Sequence, residues 1–252
     1  MNDVTIIVQG KLLQESYDFF IKNYLDCPVI ISTWVDNNIS FNNLPNNFVV
    51  ILSAYPQDHG QQNLNLQITS TLAGLEKVKT KFVIKIRGDE HWSNMYHIYN
   101  CIRKTPEKIF TSSVYFRAWQ FAEYHISDHI IAGTTENLLV MFTESKINFE
   151  ENKLNVTKIK DNGKFVKFHP THSPEERITK SYLNVVEKNR FDVVDGRILM
   201  KEHFEIIDIT MLKPYKAKAN LYHAEWNSNF IPEENLSISN IDKLFSAEPY
   251  KK

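Results

Sequence analysis

Lys85-Ile86-Arg87-Gly88-Asp89-Glu90 is the stretch of this chain whose residue types carry the most chemistry. Alternate residues of a strand share a face, so Lys85 and Arg87 point the same way from Lys81-Phe82-Val83-Ile84-Lys85-Ile86, a segment that otherwise reads as a core strand. A buried cation without a partner is costly, so both must meet a carboxylate, a phosphate or solvent at the strand end. Just beyond that end, Asp89 and Glu90 offer hard oxygen ligands to Mg²⁺ or Mn²⁺, ions that complete their shells with diphosphate oxygens and water. An apolar strand with an acidic pair at its tip is what a metal-assisted nucleotide-sugar site requires. A structural reading also exists, in which Asp89 caps a helix beginning near His91 and Arg87 pairs with a nearby acid. The Arg-Gly-Asp triplet also has the form of an integrin-type ligand, but it follows a core strand in a chain without signal-peptide features.

The elements that must hold these residues open as a parallel sheet. Val4 to Val8 is a β-branched run ending in a tight turn at Gln9-Gly10, and Leu13, Tyr17, Phe20, Ile21 and Tyr24 then recur at helical spacing. Strands follow at Val29 to Thr33 and Phe48 to Ser53, separated by an Asn- and Pro-rich loop over 36–47. Leu64, Ile68, Leu72, Leu75 and Val78 predict a helix over Asn63 to Lys79, leading into the Lys85 strand. Trp92, Met95, Tyr96 and Tyr99 form the stripe of another helix, which Thr105-Pro106 ends.

The second half is less regular. It reads as a strand over Lys108 to Phe116, a polar segment from His125 to Gly133 and a helix over Thr135 to Thr143. A charged excursion or hairpin follows over Glu150 to Lys167, turning at Asp161-Asn162-Gly163, and then a helix over Pro174 to Lys188. The expectation is an α/β fold: one domain over 1–252 with a Rossmann-like, mostly parallel sheet flanked by helices. Ligands of such sheets bind outside the carboxyl ends of the strands, where Gln9-Gly10, Thr33-Trp34 and Arg87 to Glu90 all fall.

Composition narrows the partners. With 29 basic against 30 acidic residues, a net charge of −1 and both signs interspersed, the chain lacks the clustered Lys/Arg that nucleic-acid binding by counterion release demands. Cys27 and Cys101 are too few for a disulfide framework and lack metal-ligand spacing. No apolar run approaches the ~20 residues that span a bilayer. A cytoplasmic protein is expected.

Six segments resemble, in order and spacing, the WavE-like family of lipopolysaccharide-synthesis glycosyltransferases: Ile7 to Gly10, Ile31 to Trp34, Asn63 to Leu75, Lys85 to Glu90, His125 to Gly133 and Ser173 to Glu176. The resemblance implies a GT-A fold, with a nucleotide-sugar-binding half over 1–104 joined continuously to an acceptor-binding half over 105–252. It implies that the Gln9-Gly10 turn lies against base and ribose, that Thr33-Trp34 walls the same pocket, and that Asn63 and Gln67 face the nucleotide or donor sugar. Lys85 and Arg87 would meet the diphosphate. Asp89 would correspond to the metal-binding acid of an Asp-x-Asp motif, with Glu90 beside it. Arg87 replaces the first acid of that motif, and its own charge can neutralise part of a diphosphate.

Transfer from a nucleotide-diphosphate sugar requires stabilisation of the departing diphosphate and, in an inverting enzyme, a carboxylate that takes the acceptor proton. Asp128, between His125 and His129, is the first candidate, with an N-cap or His-paired structural acid as its alternative. Glu175 and Glu176, opening a helix after Ser173-Pro174, come second; acids there also serve the helix dipole. His169, His172 and His223 are weaker metal candidates, and Trp119 is the aromatic best suited to a sugar platform, in a run with Tyr115, Phe116, Phe121 and Tyr124. The expected activity is glycosyl transfer to a glycan or glycoconjugate, with Mn²⁺ or Mg²⁺ as cofactor. Two alternatives stand beside it: a catalytically silent scaffold that kept the fold, and a nucleotidyltransferase. The latter needs a Gly-rich cationic loop after the first strand, where only Gly10-Lys11 is present.

Overall fold

The computed structural model describes residues 1–114, 123–151, 173–212 and 215–216. The first half follows the periodicity of the sequence closely. Strand β1 (Val4–Gln9) is buried throughout, and helix α1 (Gln14–Asn23) turns Tyr17 and Phe20 inward. Strands β2 (Val29–Trp34) and β3 (Phe48–Ser53), helix α2 (Leu64–Leu75) and strand β4 (Phe82–Arg87) follow. Gly74 explains how α2 lies so close to the sheet: a Cβ there would stand 2.8 Å from Ile7 Cγ2.

Trp92 does not join the next helix. It lies in the two-residue strand β5 (His91–Trp92), which pairs with a counterpart at Tyr215–Lys216, and it is held by the Tyr24 hydroxyl, which donates to Trp92 O at 2.6 Å. Helix α3 (Met95–Lys104) is capped by Asn94, whose side chain accepts from His97 N. Asp89 therefore has no capping role there.

The second half holds strand β6 (Ile109–Ser112), strand β7 (Ile130–Thr134) and helices α4 (Thr135–Glu151) and α5 (Pro174–Val186). It also contains helix α6 (Gly196–His203) and strand β8 (Phe204–Ile207), which the sequence reading did not reach. Most of the proposed hairpin over 150–167 lies outside the described residues, as do Tyr115, Phe116, Trp119, Phe121, His169, His172 and His223.

The seven strands order as β3-β2-β1-β4-β7-β6-β8. All run parallel except β7, which is antiparallel to both β4 and β6. One core lies between the sheet and α1 and α3, and includes Ile6, Phe20, Ile84 and Ile98; the other lies under α2, α4 and α5, and includes Ile7, Leu72, Phe142 and Ile178. The reversal of β7 has a chemical effect. It brings the residues that precede β7 to the edge where β4 ends, because Ile130 is paired with Ile86.

Candidate functional site

That edge gathers Lys85, Arg87, Asp89, Glu90, Asp128 and His129 into one charged cluster. Lys85 is fully buried, and its ammonium donates to Asp128 O at 2.5 Å, tying β4 to the turn before β7. Burial pushes the Lys85 pKa down to about 8, against the opposing pull of Asp128. The same turn is fixed from its other side. Thr111 Oγ1 donates to Ser127 O at 2.8 Å and accepts from Ser127 N at 3.0 Å.

Arg87 is the centre of the cluster. Its Nε and Nη2 donate to the two carboxylate oxygens of Asp89 at 2.9 and 3.0 Å, a bidentate fork, and Nη1 donates to Asp128 Oδ2 at 3.1 Å. Burial opposes the charge on Asp128, but Arg87, followed by His129 and Lys85, outweighs it and holds this carboxyl well below the usual carboxylate range. Glu90 is fully buried. Its Oε1 bonds His129 Nδ1 at 2.6 Å, while its Oε2 has no hydrogen-bond partner among the described residues. His129 Nε2 stands 3.7 Å from Asp128 Oδ1.

The two helix-opening acids are separated by the helix itself, since neighbouring residues point about 100° apart on a 3.6-residue turn. Glu175 lies 3.5 Å from His125 Nε2 and its charge reaches Lys85, so it belongs to the cluster. Glu176 bonds Lys180 at 2.7 Å on another face. Ser173 starts the helix, accepting from Glu176 N at 3.1 Å.

Beside the cluster, the carboxyl ends of β1, β2 and β3 enclose a cleft of about 490 Å³, lined by Lys11, Trp34, Asp36, Asn37 and Tyr55 among others. Gly10 has φ +88°, a left-handed conformation suited to glycine, and its N–H donates to Ser32 O. Gly88 joins cleft and cluster: a Cβ there would stand 2.7 Å from Lys11 O. Trp34 is buried and stacks on the exposed Tyr55 ring, with centroids 4.5 Å apart.

Thr33 is fully buried and accepts from Asn37 Nδ2, so it braces the cleft from behind. Gln9 also points inward, its Nε2 donating to Ser70 Oγ of α2 at 2.7 Å. Asn63 and Gln67 do not share one face toward a ligand. Asn63 is exposed in a left-handed conformation (φ 65°) ahead of α2, whereas Gln67 is buried with its Nε2 lacking a partner among the described residues.

Tyr55 and Asp36 were not singled out in the sequence, although Asp36 meets the Tyr55 hydroxyl at the cleft wall. The rule that picked the ends of β1, β2 and β4 reaches Tyr55 if it is applied to β3 as well.

Asp89 and Glu90 do not fit a divalent ion as they stand. Both Asp89 oxygens face the Arg87 fork, one Glu90 oxygen is bonded to His129, and the orphaned Glu90 Oε2 is sealed from solvent. Three of their four carboxylate oxygens thus already carry a hydrogen bond and the fourth is buried, so neither acid turns an uncommitted oxygen toward the solvent from which an ion with its water and phosphate ligands would arrive.

A mostly parallel sheet with a charged cluster and a cleft at its carboxyl edge is the layout of the α/β proteins that bind ligands there. The profile of the family described as WavE lipopolysaccharide synthesis matches residues 12–194, and the chain belongs to that family. The resemblance seen in the motifs is therefore borne out.

Among solved structures, the chain is similar to the galactosyltransferase LgtC in complex with donor and acceptor sugar analogues, at 8% identity and a TM-score of 0.46, covering 98% of each chain. It is also similar to the apo form of the glycosyltransferase GlyE from Streptococcus pneumoniae TIGR4, at 6% identity and a TM-score of 0.41 over 78% of this chain. Of GlyE it spans about half, 46% of the length. No curated protein matches the sequence. Among the described residues, no helix is long and apolar enough to cross a membrane.

Proposed function

We propose that this protein moves a sugar from a nucleotide-diphosphate sugar to a glycan or glycoconjugate acceptor. The observation that carries the proposal is the junction at Gly88. It sets an aromatic-walled cleft large enough for a nucleoside directly against a cluster with two cations and a partly exposed carboxylate, Asp128. Membership of a lipopolysaccharide-synthesis family supports the same reading.

In this account the nucleoside lies in the cleft beside Tyr55, and the diphosphate extends past Lys11 toward Arg87. The reacting sugar then reaches Asp128. Arg87 and His129 keep that carboxylate ionised, so it can face the charge that develops on the sugar and accept the acceptor hydroxyl proton as the new bond forms. Its lowered proton affinity makes it a weak base in isolation, so proton uptake is concerted with bond formation. Glu175 is the second carboxylate within reach of the cluster; Glu176, committed to Lys180, has no part.

The test is thermal stabilisation by uridine and guanosine diphosphates and their sugar conjugates. A ligand at 100 times its Kd adds roughly 2.7 kcal/mol. Tyr55→Ala should weaken binding of the responding nucleotide by ~1–3 kcal/mol, the worth of a base-stacking aromatic. A panel without any stabilising member would contradict the proposal.

The silent-scaffold alternative has one observation in its favour, the closure of Asp89 and Asp128 on Arg87. It predicts nucleotide binding without turnover.

A further inference from the structure

We propose that Arg87 stands in for the divalent cation, so that the diphosphate is bound without a metal ion. The inference rests on the transferase reading above and concerns how the same site meets the diphosphate's charge. The Arg87 guanidinium lies between the carboxylates of Asp89 and Asp128, 3.6 Å from Glu90. A divalent ion bonded to an Asp89 oxygen at ~2.0–2.1 Å would lie beside that guanidinium, where the repulsion between the two cations opposes its binding.

Arg87 also has donors to spare. A guanidinium carries five N–H groups, of which three are engaged with Asp89 and Asp128. Its side chain keeps 24% of its surface exposed, so the remaining two can reach an incoming phosphate. Lys11, exposed on the wall of the adjoining cleft, adds a second cation along the same path. Lys85 supplies a third charge from beneath. The planar fork suits phosphate as well as it suits carboxylate.

The experiment is calorimetric titration of the intact protein with uridine and guanosine diphosphates, in EDTA and again in MnCl₂, for the wild type and for Arg87→Asp. The inference expects one nucleotide to bind the wild type with the same Kd, within about twofold, in both conditions. Arg87→Asp, which creates an Asp-Gly-Asp sequence and removes the guanidinium, should bind it only with Mn²⁺. Wild-type binding that is tenfold or more tighter with Mn²⁺ overturns the inference while leaving the transferase reading intact. Absence of binding in both conditions overturns the transferase reading, and this one with it. If Arg87→Asp does not fold, the two wild-type titrations still decide.

Discussion

Lys85 shows how a single residue can serve position and charge together. On a central strand it breaks the apolar pattern, yet its ammonium holds the backbone of Asp128 against β4. Its pKa falls from 10.5 to about 8 because burial disfavours the charged form. The unfolded chain therefore binds this proton more tightly than the folded protein between pH 8 and 10.5, and stability from this group rises with pH across that window. Below pH 8 the penalty is constant. Relative to Lys85→Met, the wild type should gain up to about 3 kcal/mol between pH 7.5 and 10.5, at 1.36 kcal/mol per pKa unit. Paired denaturation curves at several pH values check it; a wild-type-to-variant gap that does not change with pH would contradict the burial account. Asp128 works in the opposite sense. Its pKa is lowered, so its ion pair contributes fully above the ordinary value of 3.8 and is lost only as the pH falls through the still lower folded value.

At the scale of elements, the site is made by turns at strand ends. Gly88 lets the β4 turn touch the backbone of Lys11, and Gly88→Ala should force the two apart at a cost of about 1–3 kcal/mol, in the range of overpacking. Chemical denaturation measures that cost, and unchanged stability would show that the contact is not tight. The same scale explains what the sequence disclosed. Residues 4–104 alternate short β-branched runs with strong helical stripes, so β1 to β4, α1 and α3 are legible with errors of a few residues. Strand β8 is only Phe204-Glu205-Ile206-Ile207, immediately after a short helix, and carries too little pattern to be found alone. Its partner β6 secures it only once the sheet exists. The reversal of β7 is likewise tertiary information. The sequence names Asp128 and Arg87 separately; only the antiparallel pairing of β4 and β7 explains why residues 41 positions apart touch.

For the molecule as a whole, a net charge of −1 turns out to coexist with a concentrated internal pattern. Cations and carboxylates are interleaved at one sheet edge, where Arg87 pairs with Asp89 and Asp128 and Lys85 is held by the Asp128 backbone. Family membership and the layout of the sheet agree with that placement, and what separates an enzyme from a silent relative is whether Asp128 acts on a bound sugar. The most direct measurement is release of nucleoside diphosphate from a panel of nucleotide sugars, by the wild type and by Asp128→Asn, with donor binding followed in parallel. The account predicts that at least one donor is turned over by the wild type, and that Asp128→Asn still binds it but turns it over ~10²–10⁴-fold more slowly. A donor that is bound yet turned over equally by both proteins, or by neither, would contradict it.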